Sequence, residues 1–157
     1  MDIEKEMGFN SSFNFVPERY TIRTDDLVRL REKGFEVGVH GLKHDGKLLQ
    51  SEKIFLQRAK KINEYIHNWG ACGFRAPSMH HNLDWFKHLD IAYDLSTFDT
   101  DPFEPQSDGV DTIFPFCIRK DPASARYWEF PYTLPQDNTL FIILREKTPD
   151  IWIKKAD

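Results

Sequence analysis

Two histidines four residues apart, His40 and His44, are the first side chains here with the type and spacing to do chemistry. They bracket His40-Gly41-Leu42-Lys43-His44, directly after the β-rich run Phe35–Val39. At this spacing two imidazoles meet on one side of a helical turn and can chelate one transition metal. The plainer alternative is a pair of solvated loop histidines. A second candidate is Gly73-Phe74-Arg75-Ala76-Pro77-Ser78. Arg75 can orient a carboxylate with its planar fork, and Pro77 fixes the turn; taken alone, the segment reads first as a surface arginine ahead of a turn. A third is the acidic stretch 93–101, in which Asp94 or Asp99 could face the same mouth or simply be solvated. His80 and His81 are adjacent and diverge, so joint ligation is not expected. His67 and His88 fall on helix faces and are assigned no catalytic part.

The elements that must position these groups alternate between β-rich runs and helical stretches. Residues 2–7 read as the end of a helix closed by Gly8, and Ser12–Val16 as a strand stopped by Pro17. Asp25–Lys33 reads as a helix with Thr24 as N-cap, acids in its first turn and Gly34 as its stop. Phe35–Val39 is the next strand. Ser51–Trp69 has the clearest helical spacing, with Ile54, Phe55, Ala59, Ile62, Tyr65, Ile66 and Trp69 on one stripe, Ser51 as cap and Gly70 as terminator. Cys72–Phe74 and Ile91–Leu95 read as strands around a short helix, Asn82–Leu89. Residues 99–111 read as a long loop. Ile113–Ile118 and Tyr127–Tyr132 are further strand candidates, Thr139–Leu144 a strand or the start of a helix, and a last helix begins at Thr148 with Pro149 in its first position. Strands separated by helices of this length imply βαβ crossovers and a parallel sheet, open or closed into a barrel, with functional residues after the strands' C-terminal ends.

The bulk properties fit one domain spanning residues 1–157. The chain is 40% hydrophobic and 29% charged, enough for a packed core. A net charge of −4 argues against a nucleic-acid partner, which needs a basic surface. No apolar run approaches the roughly 20 residues that span a bilayer, and MDIEKEMGF is not a signal peptide. Cys72 and Cys117 are too few for a disulfide framework and are expected to be buried apolar thiols.

Taken in order, these motifs resemble the polysaccharide deacetylase family (carbohydrate esterase family 4). His40-Gly41-Leu42-Lys43-His44 is similar to the family's His-Ser/Thr-x-x-His motif, and the lead-in Gly34-Phe35-Glu36-Val37-Gly38-Val39 matches as well. Arg75-Ala76-Pro77-Ser78 is similar to Arg-x-Pro-aromatic. Gly41 stands where the family has Ser or Thr, Ser78 where it has an aromatic residue, and the stretch from Asp94 to Asp101 lacks a tryptophan usual there. The likeness runs over roughly residues 8–135. It implies an α/β fold, a distorted (β/α) barrel, of which this chain carries an incomplete part: such a domain needs about 200 residues or more.

The resemblance implies a hydrolase that removes N-acetyl groups from amino sugars, using water activated by a divalent metal, Zn²⁺ by expectation. On this chain it assigns the metal to His40 and His44, orientation of the base to Arg75, a backbone oxyanion contact to Ser78, and substrate contact to Pro77 and Asp99. The family's catalytic base and third metal ligand, a pair of Asp on its first strand, have no counterpart here, nor does its C-terminal acid, a histidine. The isolated chain is therefore expected to be inactive or nearly so, and to self-associate through unpaired strand edges. Two rival readings are a related amidohydrolase acting on a small C–N substrate, and a non-catalytic glycan-binding module with Trp128, Phe116 or Tyr132 stacking on sugar.

Overall fold

The computed structural model describes residues 2–99, 109–119, 126–134 and 136–156. Asp101 and most of the expected 99–111 loop lie outside the described residues. Six strands form one open sheet in the order β1-β2-β3-β4-β6-β5. They are β1 (Ser12–Phe15), β2 (Glu36–Val39), β3 (Gly73–Phe74), β4 (Tyr93–Asp94), β5 (Phe116–Arg119) and β6 (Arg126–Glu129). The first four and β6 run parallel, and β5 pairs antiparallel with β6 at the edge. Helix α1 (Asp2–Glu6) precedes β1, and α2 (Thr24–Glu32), α3 (Glu52–Trp69) and the short α4 (Leu83–Phe86) form the crossovers. A wide π-helical turn, Asn138–Ile143, and α5 (Asp150–Ala156) follow.

Sequence and backbone agree most closely at α3. Ser51 Oγ accepts from Ile54 N at 3.3 Å, and Gly70 adopts φ +58° at the C-terminus, where a left-handed residue satisfies the last carbonyls. Phe55, Ala59, Ile62 and Ile66 are its buried stripe. Several boundaries differ. Thr24 is the first residue of α2 rather than its cap; Arg23 holds the cap position without a side-chain bond, and Asp25 and Asp26 offset the exposed amide dipoles instead. The 113–118 strand begins only at Phe116. The 127–132 strand ends at Glu129, and Tyr132 rejoins the sheet at a lone bridge to Phe98. Of the two forms open to Thr139–Leu144 the helical one holds, as most of it lies within the π-helical turn.

The helices cover one face of the sheet. Val39, Phe74 and Tyr127 pack with Phe55, Ile62, Ile66 and Phe86, while Val37 joins Leu27, Leu30 and Phe35. Successive strand residues point to opposite faces, so Gly38 and Gly73, paired in register, lie on the other side. A Cβ on Gly38 would collide with the Asn14 amide, and one on Gly73 with the Tyr93 ring. Both glycines let neighbouring side chains lie flat across this face. Trp128 and Phe130 alternate with buried Tyr127 and Glu129 and remain 44% and 40% exposed on it.

The cysteines differ from expectation: both are free and half-buried. The Cys72 thiol donates to Glu36 Oε1 at 2.7 Å, and burial followed by this carboxylate pushes its pKa up to about 12. Among the described residues no helix is long and apolar enough to cross a membrane.

Candidate functional site

The sequence-flagged segments converge at the C-terminal ends of β1–β3, where α/β folds place their ligands. His40 N–H donates to the Phe15 carbonyl at 2.7 Å, and Arg75 N–H to the Val39 carbonyl at 3.0 Å, so ladder-like bonds carry both residues past the strand ends. His40 Nδ1 lies 2.9 Å from the Arg75 carbonyl oxygen. A carbonyl only accepts, so Nδ1 carries the proton and Nε2 keeps its lone pair. Burial lowers the His40 pKa, and the His44 and Arg75 charges add to it against the carbonyl bond, so the neutral, ligating ring is favoured.

His44 comes to the same place by a different route from the helical turn its spacing implied. Gly41 (φ +64°) and His44 (φ +52°) both adopt left-handed backbone, and the loop folds until the two rings stand 5.1 Å apart, centroid to centroid. Gly41 sits on the Pro77 ring, where a Cβ would come within 2.6 Å of Pro77 Cγ. This explains a glycine where the related motif carries Ser or Thr. The loop is tied to α3 by Asp45, whose carboxylate takes two 2.7 Å bonds from Arg58, holding the acid well below the usual carboxylate range.

An open cavity of about 480 Å³ is lined by Asn14, His40, His44, Arg75, Ser78 and Tyr132, with Gln136 and Asp137 at another part of its wall. Arg75 lies over the Tyr132 ring at 4.9 Å, and its Nε faces Met79 Sδ at 3.1 Å. Ser78 is exposed with φ +58°, and Met79 follows with φ +56°; two consecutive left-handed non-glycine residues mark a strained turn beside the cavity. Pro77 is buried and lines a smaller pocket of about 150 Å³ that shares His44 and Ala76 and reaches His80.

Asp94 and Asp99 do not join this group. Asp94 follows Phe74 and Glu129 in register and is fully buried. Its carboxyl is pushed well above the ordinary range, by burial first and the Glu129 charge second. Asp99 is buried beside the Phe98–Tyr132 bridge, its N–H on the Tyr132 carbonyl at 3.2 Å, and does not line the cavity. His81 turns to the Met79 carbonyl at 3.2 Å, and His67 pairs with Asp90 on the surface. Of the aromatic residues considered for sugar stacking, Tyr132 lines the cavity, whereas Trp128 and Phe116 do not.

Sequence reading missed Asn14, Gln136, Asp137 and Glu129. Asn14 had a signal: in the alternating run Ser12–Phe15 it is a polar residue between two phenylalanines, on the face away from them. Its Oδ1 is a buried oxygen with no hydrogen-bond partner among the described residues. His40 and His44 bring two imidazoles to a cavity that Asn14, with its unmet oxygen, also lines, and nitrogen and oxygen donors of these kinds suit a divalent transition metal. Among the described residues no three His, Cys, Asp or Glu side chains gather as a metal site.

No family model matches the sequence, and no curated protein matches it. Solved structures do. A protein from Mycobacterium smegmatis assigned as a polysaccharide deacetylase matches at TM-score 0.59 and 20% identity, over 83% of this chain and 43% of its own. Puue Allantoinase matches at TM-score 0.60 and 13% identity, over 99% of this chain and 54% of its own. The chain thus spans about half the length of these neighbours. The class they define is the polysaccharide deacetylase-type α/β fold, related to (β/α) barrels, here with the sheet open. Within that class the chain carries the strands that bear His40, His44 and Arg75, and the resemblance drawn from its motifs and the likeness of its fold agree.

Proposed function

We propose that this chain carries the metal-binding half of a hydrolase centre acting on N-acetylated amino sugars. The observation that supports this best is His40, whose Nδ1 is committed to the Arg75 carbonyl so that Nε2 is left to ligate, with His44 beside it and Asn14 lining the same cavity. A bound divalent ion, zinc by preference, supplies Lewis acidity toward an amide carbonyl and lowers the pKa of water. His40 and His44 hold it, Asn14 adds an oxygen, and Arg75, steadied on Tyr132, orients a carboxylate or the substrate. Ser78 offers a backbone N–H to a developing oxyanion. Asp137 is the one carboxylate among the described residues lining the cavity, and no imidazole beyond His40 and His44 lines it. Turnover by this chain alone is therefore expected at or near background. A second reading takes a small C–N substrate in place of a glycan; the likeness to Puue Allantoinase over 99% of this chain favours it.

The deciding experiment is elemental analysis of the purified chain with His40→Ala and His44→Ala. About one zinc per chain, lost in both variants, supports the reading. No metal after zinc is supplied sinks it. Calorimetric titration with an N-acetylglucosamine oligomer and with a small cyclic amide then separates the two substrate readings.

A further inference from the structure

The peptide group joining Arg75 to Ala76 is gripped at both ends. Its carbonyl accepts from His40 Nδ1 at 2.9 Å, and its N–H donates to Ser96 Oγ at 2.8 Å. A hydroxyl accepts and donates at once, and Ser96 Oγ donates onward to Asp94 Oδ1 at 2.6 Å, with Ser96 N–H on Oδ2 at 3.3 Å. Ser96 and Asp94 are both fully buried. Asp94 is anchored in its turn. It faces Glu129, its register partner across β4 and β6. Thr97 N–H and O–H occupy Glu129 Oε1 at 3.1 and 2.7 Å, while Oε2 is buried with no donor among the described residues. Burial, together with the Glu129 charge, favours keeping a proton on Asp94. An unbroken line of hydrogen bonds therefore runs from Asp94 through Ser96 and one peptide unit to the His40 ring.

We propose that Asp94 and Ser96 are positioning residues that fix the tautomer and orientation of His40 through the Arg75–Ala76 peptide. Each bond in such a line polarises the next, so an N–H committed to Ser96 makes its own carbonyl a better acceptor for His40. Without the Ser96 hydroxyl the Ala76 N–H is a donor facing a buried gap, the turn relaxes, and the carbonyl loses its aim. His40 is then free to carry its proton on Nε2, which withdraws the lone pair from the cavity. The consequence for metal affinity rests on the reading of His40 as a ligand; the tautomer itself does not.

The test is ¹⁵N-detected NMR of the histidine side chains in the metal-free protein at about pH 8, where imidazole is neutral, for wild type, Ser96→Ala, Ser96→Thr and Asp94→Asn. Wild type should carry the His40 proton on Nδ1. Ser96→Ala should raise the Nε2–H form several-fold and weaken zinc binding about tenfold, the usual scale for losing an outer-sphere partner of a ligating histidine. Ser96→Thr retains the hydroxyl and Asp94→Asn retains an acceptor oxygen, so both should keep the wild-type tautomer. If Ser96→Ala loses its fold, Ser96→Cys, with similar volume and weaker hydrogen bonding, is read in its place. A wild-type His40 protonated on Nε2, or an unchanged tautomer in the Ser96 variant, overturns the proposal. A shifted tautomer in a protein that binds no zinc leaves the relay standing and removes only the metal reading.

Discussion

Asp94→Asn should make this protein more stable as pH rises relative to wild type, and the size of the effect follows from one proton. Unfolded, Asp94 ionises near its ordinary value of about 3.9. Folded, it is fully buried beside Glu129 and holds its proton well above that. The sign is then set by linkage. A group whose folded pKa is raised contributes stability that is complete below the unfolded pKa and is lost as pH climbs toward the folded one. Across that window the folded state holds one proton more, so wild type loses about 1.4 kcal/mol per pH unit from this group. The amide that replaces the carboxyl in this variant does not titrate. Its oxygen keeps the Ser96 Oγ bond, while its nitrogen cannot accept the 3.3 Å bond from Ser96 N–H, a fixed cost that shifts the variant's curve without changing its slope against pH. For as long as the folded carboxyl holds its proton above the unfolded value, the variant should gain on wild type about 1.4 kcal/mol per pH unit, roughly 0.7 M in urea midpoint at the m-values usual for small domains. Urea titrations at several pH values, followed by tryptophan fluorescence, measure it. Parallel stability curves would refute the reasoning, since they would mean that Asp94 ionises in the fold as it does in the unfolded chain.

Two further outcomes follow from the geometry. Gly41→Ala combines a left-handed backbone at φ +64° with a Cβ 2.6 Å from Pro77 Cγ, and should destabilise by about 2 kcal/mol or more, with zinc uptake falling because His44 is displaced; chemical denaturation and elemental analysis check both. Strand β1 pairs with β2 along one side, and among the described residues nothing pairs with its other edge, so sedimentation velocity should show concentration-dependent dimers or larger species; a monomer at all concentrations would count against it.

What sequence alone determined is what local chemistry decides. Ser51 and Gly70 bound α3 because capping depends on a few neighbouring residues, and the apolar stripe between them needs no partner to be read. His40, His44 and Arg75 were legible because their spacing to the end of a β-rich run survives any packing of that run. Even there the route differed: the two imidazoles meet through left-handed residues at 41 and 44, and the loop between them is shaped against Pro77 from a separate segment. Only the tertiary structure decided which way the acids point. Tyr93 and Asp94 are neighbours in a two-residue strand, and a slip of one would exchange their faces; pairing with β3 and β6 puts Asp94 in line with Phe74 and Glu129. The same register leaves Asn14 beside the cavity with an unmet oxygen, brings Tyr132 under Arg75, and joins Ser96 to the peptide that holds His40. These contacts link segments far apart along the chain. Their partners are chosen by how the helices close over one face of the sheet, and that is a property of the whole packing which no local stretch of residues contains.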